Sequence, residues 1–210
     1  MNEPKKYGVE LEFTEDLLAS SPCDPNVYKE FIAAKAREAA DGNEEIETLD
    51  VKQREENGWS VFHADEGGLF LFDYHIKGFL KEACASVIGN KAQGGIGTYK
   101  GKIDRLLFIS PRRIYITDAA GLPVTKPDGI LERPIRMLTA QGPRVALKRS
   151  DLVSPGRRLK FTLTILPLAQ SEFTEKRIAA CFDYGEFLGM GEWRSGSNGR
   201  FHATVCNLES

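Results

Sequence analysis

The chain has 210 residues, which is enough for one large domain or two small ones, and we expect a single domain over residues 1–210. Apolar residues make up 41% of it and charged residues 28%, as in ordinary globular proteins. Because no apolar run approaches the ~18 residues of a membrane-spanning helix, we do not expect a membrane protein. The ordinary composition also argues against a collagen and against a wholly disordered chain.

The amino-terminal segment and the cysteines point to a reduced, cytoplasmic setting. The segment MNEPKKYGVELEF alternates apolar and polar residues and lacks the continuous apolar core of a secretion signal. The four cysteines form no C-x-x-C pair, so the sequence predicts neither a zinc site nor a disulfide framework, and no cofactor.

Charge is distributed unevenly along the chain. Residues 99–160 carry 14 basic and 5 acidic side chains, whereas residues 1–98 carry 10 basic and 19 acidic ones. A segment at net +9 in a chain whose net charge is −2 predicts a local phosphate-binding face. The alternative is that these cations pair with the acidic half of the chain.

The first half of the chain alternates strands with helices. Tyr7–Phe13 has the period of two of a half-buried strand, and residues 24–60, rich in Ala, Glu and Lys, predict an acidic helical insertion. A short apolar strand over Leu69–Tyr74 precedes a helix over Lys77–Ile88, with Val87 on its buried face. The glycines and lysines of residues 94–102 predict a mobile loop.

The second half repeats this order. Two strand-like runs flank Pro111, and a later strand contains Phe161 with its alternating neighbours. The sequence then predicts a helix that begins near Ser171 and buries Phe187, followed by a closing strand over Arg200–Leu208. The order of strand, helix, strands, helix and strand predicts an α+β protein with a split βαβ arrangement.

Two segments carry candidate ligand-binding residues. Cations surround the sequence TAQGP, a predicted loop that suits a single strand held by its backbone: Arg133, Arg136, Arg144, Lys148 and Arg149. The second segment, FLGMGEWRSGSNGRF, predicts close approach of the backbone to a ligand at Gly189, Gly191 and Gly199, stacking by Trp193, and phosphate contacts from Arg194 and Arg200. The alternative for this segment is a flexible connection with an exposed Trp.

Catalytic signals are few. No nucleophile elbow occurs, and the three histidines show no metal-ligand spacing. His75 and His202 are the candidates for a general base, so the sequence favours a non-catalytic protein and keeps a metal-independent endoribonuclease as an alternative.

Three segments resemble the RAMP superfamily, the repeat-RNA-binding proteins that include backbone subunits of CRISPR effector complexes. FDYHIKGFLKEACASV is similar to the family's glycine-containing turn into the first helix, with Ile76, Lys77, Gly78, Leu80 and Lys81 at the motif positions. RVALKRSDLVSPGRRLKFTLTIL is similar to its basic segment and central strand, and FLGMGEWRSGSNGRFHATV to its glycine-rich loop and last strand. The chain also resembles proteins of phages and prophages of Gram-positive bacteria.

The resemblance implies a ferredoxin-like, RRM-related fold that grips single-stranded RNA, with single-stranded DNA as the alternative ligand, through the glycine-rich loop and a thumb-like insertion. It implies assembly along the strand with further copies or effector subunits. The alternative is a phage interaction protein that inhibits a host CRISPR or other defence complex. The candidate nucleic-acid-binding residues then also include Lys77, Lys81, Arg112 and Arg113.

Overall fold

The protein was analysed as a computed structural model, which describes residues 3–23, 59–88, 95–139 and 142–208. Most of the predicted helical insertion, residues 24–58, lies outside the described residues, and its last two positions, Trp59 and Ser60, belong to a strand. That residues 1–210 form a single domain stays a prediction.

The strands are β1 (Lys5–Phe13), β2 (Leu17–Leu18), β3 (Ser21–Pro22), β4 (Trp59–Val61), β5 (His63–Asp65), β6 (Gly68–Phe72), β7 (Leu107–Ser110), β8 (Arg113–Thr117), β9 (Gly129–Thr139), β10 (Gly142–Val153), β11 (Arg158–Ile165) and β12 (Phe201–Asn207). The helices are α1 (Asp73–Val87), α2 (Tyr99–Leu106), α3 (Glu175–Asp183) and α4 (Gly185–Leu188). Among the described residues, no helix combines the length and apolarity that a bilayer-crossing segment requires.

The larger sheet has the strand order β12-β1-β11-β8-β6-β5, with β7 also paired to β11. Strand β1 lies between β11 and β12 and is antiparallel to both. The order β12, β1, β11 and then β7 with β8, together with helices α1 and α3, is the strand order 4-1-3-2 of a split βαβ unit. The predicted α+β, ferredoxin-like class is therefore confirmed.

Helices α1 and α3 pack on one face of this sheet. The inward residues of β1 and β11 alternate with exposed ones, as the period of a half-buried strand requires. Phe79 on α1 packs against Phe182 on α3 and Phe201 on β12, with ring centroids 6.0 and 5.1 Å apart. These aromatic contacts fix the helices, and hence the loop that follows α4, relative to the sheet.

A second sheet carries a long hairpin. Strands β9 and β10 pair in one antiparallel register from Gly129↔Leu152 to Thr139↔Gly142. Among the described strands, β2 and β4 pair with the hairpin only at its base, within the last five residues of β10. The part of the hairpin nearer its tip is therefore held by its own ladder.

Three predictions about helices are wrong, and the first two concern α1 and α2. Helix α1 begins at Asp73, four residues early, and Val87 is exposed. The predicted mobile loop contains the start of α2, because Tyr99, Ile103 and Leu106 share one helical face against the core.

The helix predicted from near Ser171 is two short helices, and Phe187 on the second is exposed rather than buried. Gly185 is the first residue of the second helix, and an added Cβ there would lie 2.2 Å from the Phe201 ring. The tight contact with Phe201 explains why the chain turns here and carries Phe187 away from the core.

Candidate nucleic-acid interface

The glycine-rich loop, residues 189–199, folds against its own backbone and against β2. Gly189, Gly191 and Gly199 have φ angles of 69, 77 and 68°, which side-chain-bearing residues rarely adopt. A Cβ on Gly199 would lie 1.9 Å from the Met190 carbonyl oxygen, and one on Gly191 would lie 2.4 Å from that of Leu18. These glycines allow the loop to close on itself, and close approach of their backbone to a ligand stays a prediction.

Trp193 stands at the outer end of this loop. Its side chain is 42% exposed and its φ is 51°, a left-handed conformation that costs a non-glycine residue of order 1 kcal/mol or more. The amide of Asn198 donates to the Trp193 carbonyl oxygen at 3.1 Å, and Gly196 lies directly against the indole. The loop thus holds a partly exposed indole in a fixed, strained position.

The hairpin divides the predicted basic cluster between two faces. The segment is a pair of strands, not a loop, so neighbouring residues alternate sides. We define the inner face by Arg133, Lys148 and Ser150, whose side chains reach the glycine-rich loop, and the outer face by Arg136 and Arg149. Arg144 belongs to β10, and its side chain lies outside the described part of the structure.

The inner face meets the glycine-rich loop at Glu192 and Trp193. The Arg133 guanidinium carbon lies 4.6 Å from the centroid of the indole. Glu192 Oε1 lies 3.7 Å from Arg133 Nη2 and 3.4 Å from Lys148 Nζ, while Ser150 donates its hydroxyl hydrogen to Glu192 Oε2 at 2.5 Å. Sequence reasoning missed Glu192, although an acid next to Trp in an otherwise basic loop was a visible signal.

The outer face has a different character. Arg149 is paired with Glu132 at 2.7 Å, and Val145 and Leu147 are 72% and 58% exposed. Arg136 lies on this exposed side of β9. Charge on the outer face is therefore partly neutralised and mixed with apolar surface.

Ion pairs with other parts of the chain also offset some of the net charge of +9 on residues 99–160. This agrees with the alternative interpretation of that segment. Acids from other parts of the chain pair with Lys102, Arg113, Arg158 and Lys160. Asp128, at the hairpin base, pairs with Arg157 at 2.6 Å, but both residues belong to the segment and are already counted in its +9. Glu10 is also shared by two cations, Arg158 and Lys160, but Arg158 has Glu12 as a second acidic partner.

A cleft of about 820 Å³ lies between α1 and the glycine-rich loop. Leu71, Phe79 and Met190 contribute apolar surface to it. Aromatic side chains that sequence reasoning missed, Tyr74 and the 68% exposed Phe187, line it together with Trp193. Glu82 on α1 and Arg194 in the loop both line the cleft and are joined by a 2.5 Å salt bridge, which ties the two sides together.

Other predicted residues lie away from this cleft. Lys77 donates to the Asp104 carbonyl oxygen at 3.3 Å and Lys81 pairs with the Asp104 carboxylate, so both contact α2. Arg112 covers the Phe72 ring at 5.3 Å. Arg200, at the start of β12, is not among the described residues that line the cleft.

Arg113 belongs to a side-chain network with Asp65, which accepts hydrogen bonds from Arg113 and Tyr115 at 2.7 and 2.9 Å. Burial alone acts to raise the Asp65 pKa, but these hydrogen bonds, the Gly67 N–H and the Arg113 charge together lower it. The Asp65 carboxylate in turn raises the pKa of Tyr115, in addition to the larger effect of burial. Arg113 therefore has a structural partner on β5.

The two candidate general bases stand in different places. His75 lines the cleft, where its ring stacks on Tyr74 at 4.4 Å and its Nδ1 lies 3.2 Å from the Phe72 carbonyl oxygen. His202 is on β12, with Nδ1 2.7 Å from Glu186 Oε1. Of these two, His75 is the one that lines the cleft described above.

The described residues contain one close pair of thiols and no cluster of metal-ligating side chains. Within them, no three His, Cys, Asp or Glu side chains come close enough to hold a metal ion. The thiols of Cys84 and Cys181 lie 3.4 Å apart between α1 and α3. The hydrogen bond with Cys84 and burial raise the pKa of the Cys181 thiol, which keeps it neutral at physiological pH.

Comparison with known proteins finds no matching family model and no matching curated protein. Among solved structures, a chain in the cryo-EM structure of the Type III-B Cmr-beta bound to cognate target RNA is similar, with 12% identity and a TM-score of 0.48 over 98% of this chain. The chain spans 61% of that chain's length. A chain of a Type IV-B CRISPR complex is similar at 11% identity and a TM-score of 0.47, over 98% of this chain and 92% of the other.

Proposed function

We propose that this protein is a single-stranded RNA-binding protein of the RAMP type, in which the inner face holds phosphates and the cleft receives bases. The observation that carries the proposal is the meeting of Arg133, Lys148 and Trp193 beside an open cleft. Cations beside an accessible aromatic ring are the combination that single-strand binders use.

The phosphate part of the proposal rests on the inner face. Arg133 and Lys148 supply donors of two kinds, a planar fork and a point charge, and both suit phosphate oxygens. Among the described residues, Nη1 of Arg133 is buried and has no hydrogen-bond partner. A buried donor without an acceptor is costly, so a movement of the Arg133 side chain that brings this N–H to a phosphate oxygen is favoured; in the described part of the chain, Nε of Arg158 and of Arg200 are also buried without a partner.

The base part of the proposal rests on the cleft. A volume of about 820 Å³ is within the ~300–1,000 Å³ range of sites that take small molecules, and one nucleobase fits such a space. The exposed parts of the Trp193 and Phe187 side chains offer contact surface for a base, and stacking does not depend strongly on which base is present. Bases of a duplex are already stacked and paired, so this arrangement favours single strands.

The wider role follows the resemblance given above. We propose a non-catalytic, cytoplasmic subunit that lies along RNA with further copies or with other effector subunits. The hairpin β9–β10 corresponds in this proposal to the thumb-like insertion, and the glycine-rich loop shapes the cleft rather than touching RNA through its glycines.

Fluorescence anisotropy with purified protein tests the proposal. The probes are a labelled RNA of about 16 nucleotides, the upper end of single-strand site sizes, the same sequence as duplex RNA, and its DNA counterpart. We expect the single-stranded RNA to bind most tightly, with log affinity falling linearly in log salt at about 0.7 per phosphate neutralised. Equal affinity for the duplex, or no binding at about 50 mM salt, would contradict it.

A further inference from the structure

Glu192 is the one acid among the described residues that is shared by both inner-face cations. Its Oε1 lies 3.4 Å from Lys148 Nζ and 3.7 Å from Arg133 Nη2, and its Oε2 accepts the Ser150 hydroxyl hydrogen. A carboxylate oxygen placed between two cations resembles a phosphate oxygen in charge and in its acceptor geometry. Glu192 thus stands where an anionic ligand would stand.

The main chain at Glu192 is fixed in place. The Glu192 N–H donates to the Leu18 carbonyl oxygen at 3.2 Å, so β2 anchors the residue. Gly191, immediately before it, packs against the same carbonyl with no room for a Cβ. The side chain of Glu192 therefore extends from a fixed backbone, and its carboxylate is held by Ser150, Arg133 and Lys148.

Charge and hydrogen bonding on the inner face are incompletely satisfied. Two cations share a single carboxylate, which leaves one positive charge in excess. The contacts of Glu192 with Arg133 and Lys148 are longer than the ~2.7–2.9 Å of close charge-assisted hydrogen bonds. These long contacts and the unpartnered Nη1 of Arg133 indicate that the Glu192 carboxylate binds the two cations weakly, so that a better acceptor displaces it.

We propose that Glu192 is a specificity-determining residue that acts as an internal competitor for RNA phosphate on the inner face. This inference rests on the proposed function. In the free protein the carboxylate occupies Arg133 and Lys148; a phosphate that binds takes over these cations, while Ser150 remains available to hold the displaced carboxylate. Weak or non-phosphate anions do not compete, so occupation by Glu192 selects for a polyanionic backbone.

The experiment compares Glu192→Gln with Glu132→Gln by RNA anisotropy at several salt concentrations. Both variants remove one negative charge from the same hairpin region, but Glu132 pairs with Arg149 on the outer face. Gln at position 192 still accepts from Ser150, and thermal melting of both variants confirms that they fold. The matched control separates a local effect from a change in net charge.

We expect Glu192→Gln to bind RNA about 2- to 5-fold more tightly than wild type, the scale set by partly exposed ion pairs, and to show a steeper salt dependence. Glu132→Gln is expected to change affinity by less than about 1.5-fold. Unchanged or weaker binding by Glu192→Gln, or an equal gain in both variants, would overturn the competitor role while leaving RNA binding intact. Absence of RNA binding by wild type and both variants would instead overturn the proposed function, and the competitor role with it.

Discussion

The glycine-rich loop and the β9–β10 hairpin were the two segments marked as ligand-binding by sequence, and their structures differ in kind. The loop is closed on itself, with glycines whose missing side chains make room for neighbouring carbonyl oxygens. The hairpin is regular, and most of its ladder pairs with no other strand in the described part of the chain. The loop therefore shapes the cleft through a strained backbone that depends on its glycines. The hairpin instead presents side chains that can be substituted without changing its backbone.

The largest expected effect breaks the loop. Gly199→Ala places a side chain at a φ of 68° and sets its Cβ 1.9 Å from the Met190 carbonyl oxygen. Left-handed strain and overpacking each cost ~1–3 kcal/mol, so we expect the free energy of unfolding to fall by about 2 to 6 kcal/mol. Thermal melting measures this as a fall in Tm of at least about 5 °C.

Gly101→Ala is the matched control for this loss. Gly101 is inside α2, and an added Cβ meets nothing within 4 Å. Replacing a helical glycine with Ala at an open position stabilises by ~0.5–1 kcal/mol. If Gly199→Ala melts no lower than Gly101→Ala, the account of the loop as a closed, glycine-dependent structure is wrong.

A smaller loss of stability is expected from a substitution at the base of the hairpin. Asp128 precedes β9 and accepts hydrogen bonds from Arg157 at 2.6 Å and the Ser154 N–H at 2.8 Å, closing the hairpin base. Burial acts to raise the Asp128 pKa, but the Arg157 and Ser154 hydrogen bonds and the Arg157 charge outweigh it and lower the pKa below 3.8. We expect Asp128→Asn to cost about 1 kcal/mol, or about 2 to 4 °C in Tm, at neutral pH.

The pH dependence gives this prediction a second readout. Because the folded-state pKa is lowered, the stabilisation by ionised Asp128 is present above the ordinary value of 3.8 and is lost as pH falls through the folded-state pKa. The difference in stability between wild type and Asp128→Asn should therefore shrink below about pH 4. A difference that stays constant from neutral pH to pH 3 would mean that the charge of Asp128 does not hold the hairpin base.

Much of the fold was predictable from the sequence because its signals are local. The alternation from Tyr7 to Phe13 and the strand containing Phe161 reported half-buried strands correctly. Helix α2 was missed because glycines and lysines at its start hid the spacing of Tyr99, Ile103 and Leu106. Where local composition and periodicity disagreed, periodicity was the better guide.

The candidate site was less predictable because it depends on pairing register and on contacts across the chain. A run of cations in sequence indicated one cluster, yet strand alternation sends Lys148 and Arg149 to opposite faces. Glu192 and Ser150, 42 residues apart, meet only after the loop packs beside β10. The hydrophobic periodicity of one segment does not show which distant residues that segment will contact.

Binding by two double variants of the hairpin tests the central claim most directly. Arg133→Ala with Lys148→Ala removes two charges from the inner face, and Arg136→Ala with Arg149→Ala removes two from the outer face. We predict that the inner pair lowers affinity for single-stranded RNA by at least about 10-fold and reduces the salt slope by about 1, because charge-assisted hydrogen bonds of ~1.5–3 kcal/mol are lost. The outer pair should change affinity by less than about 3-fold; equal losses in two variants that melt like wild type would contradict the claim.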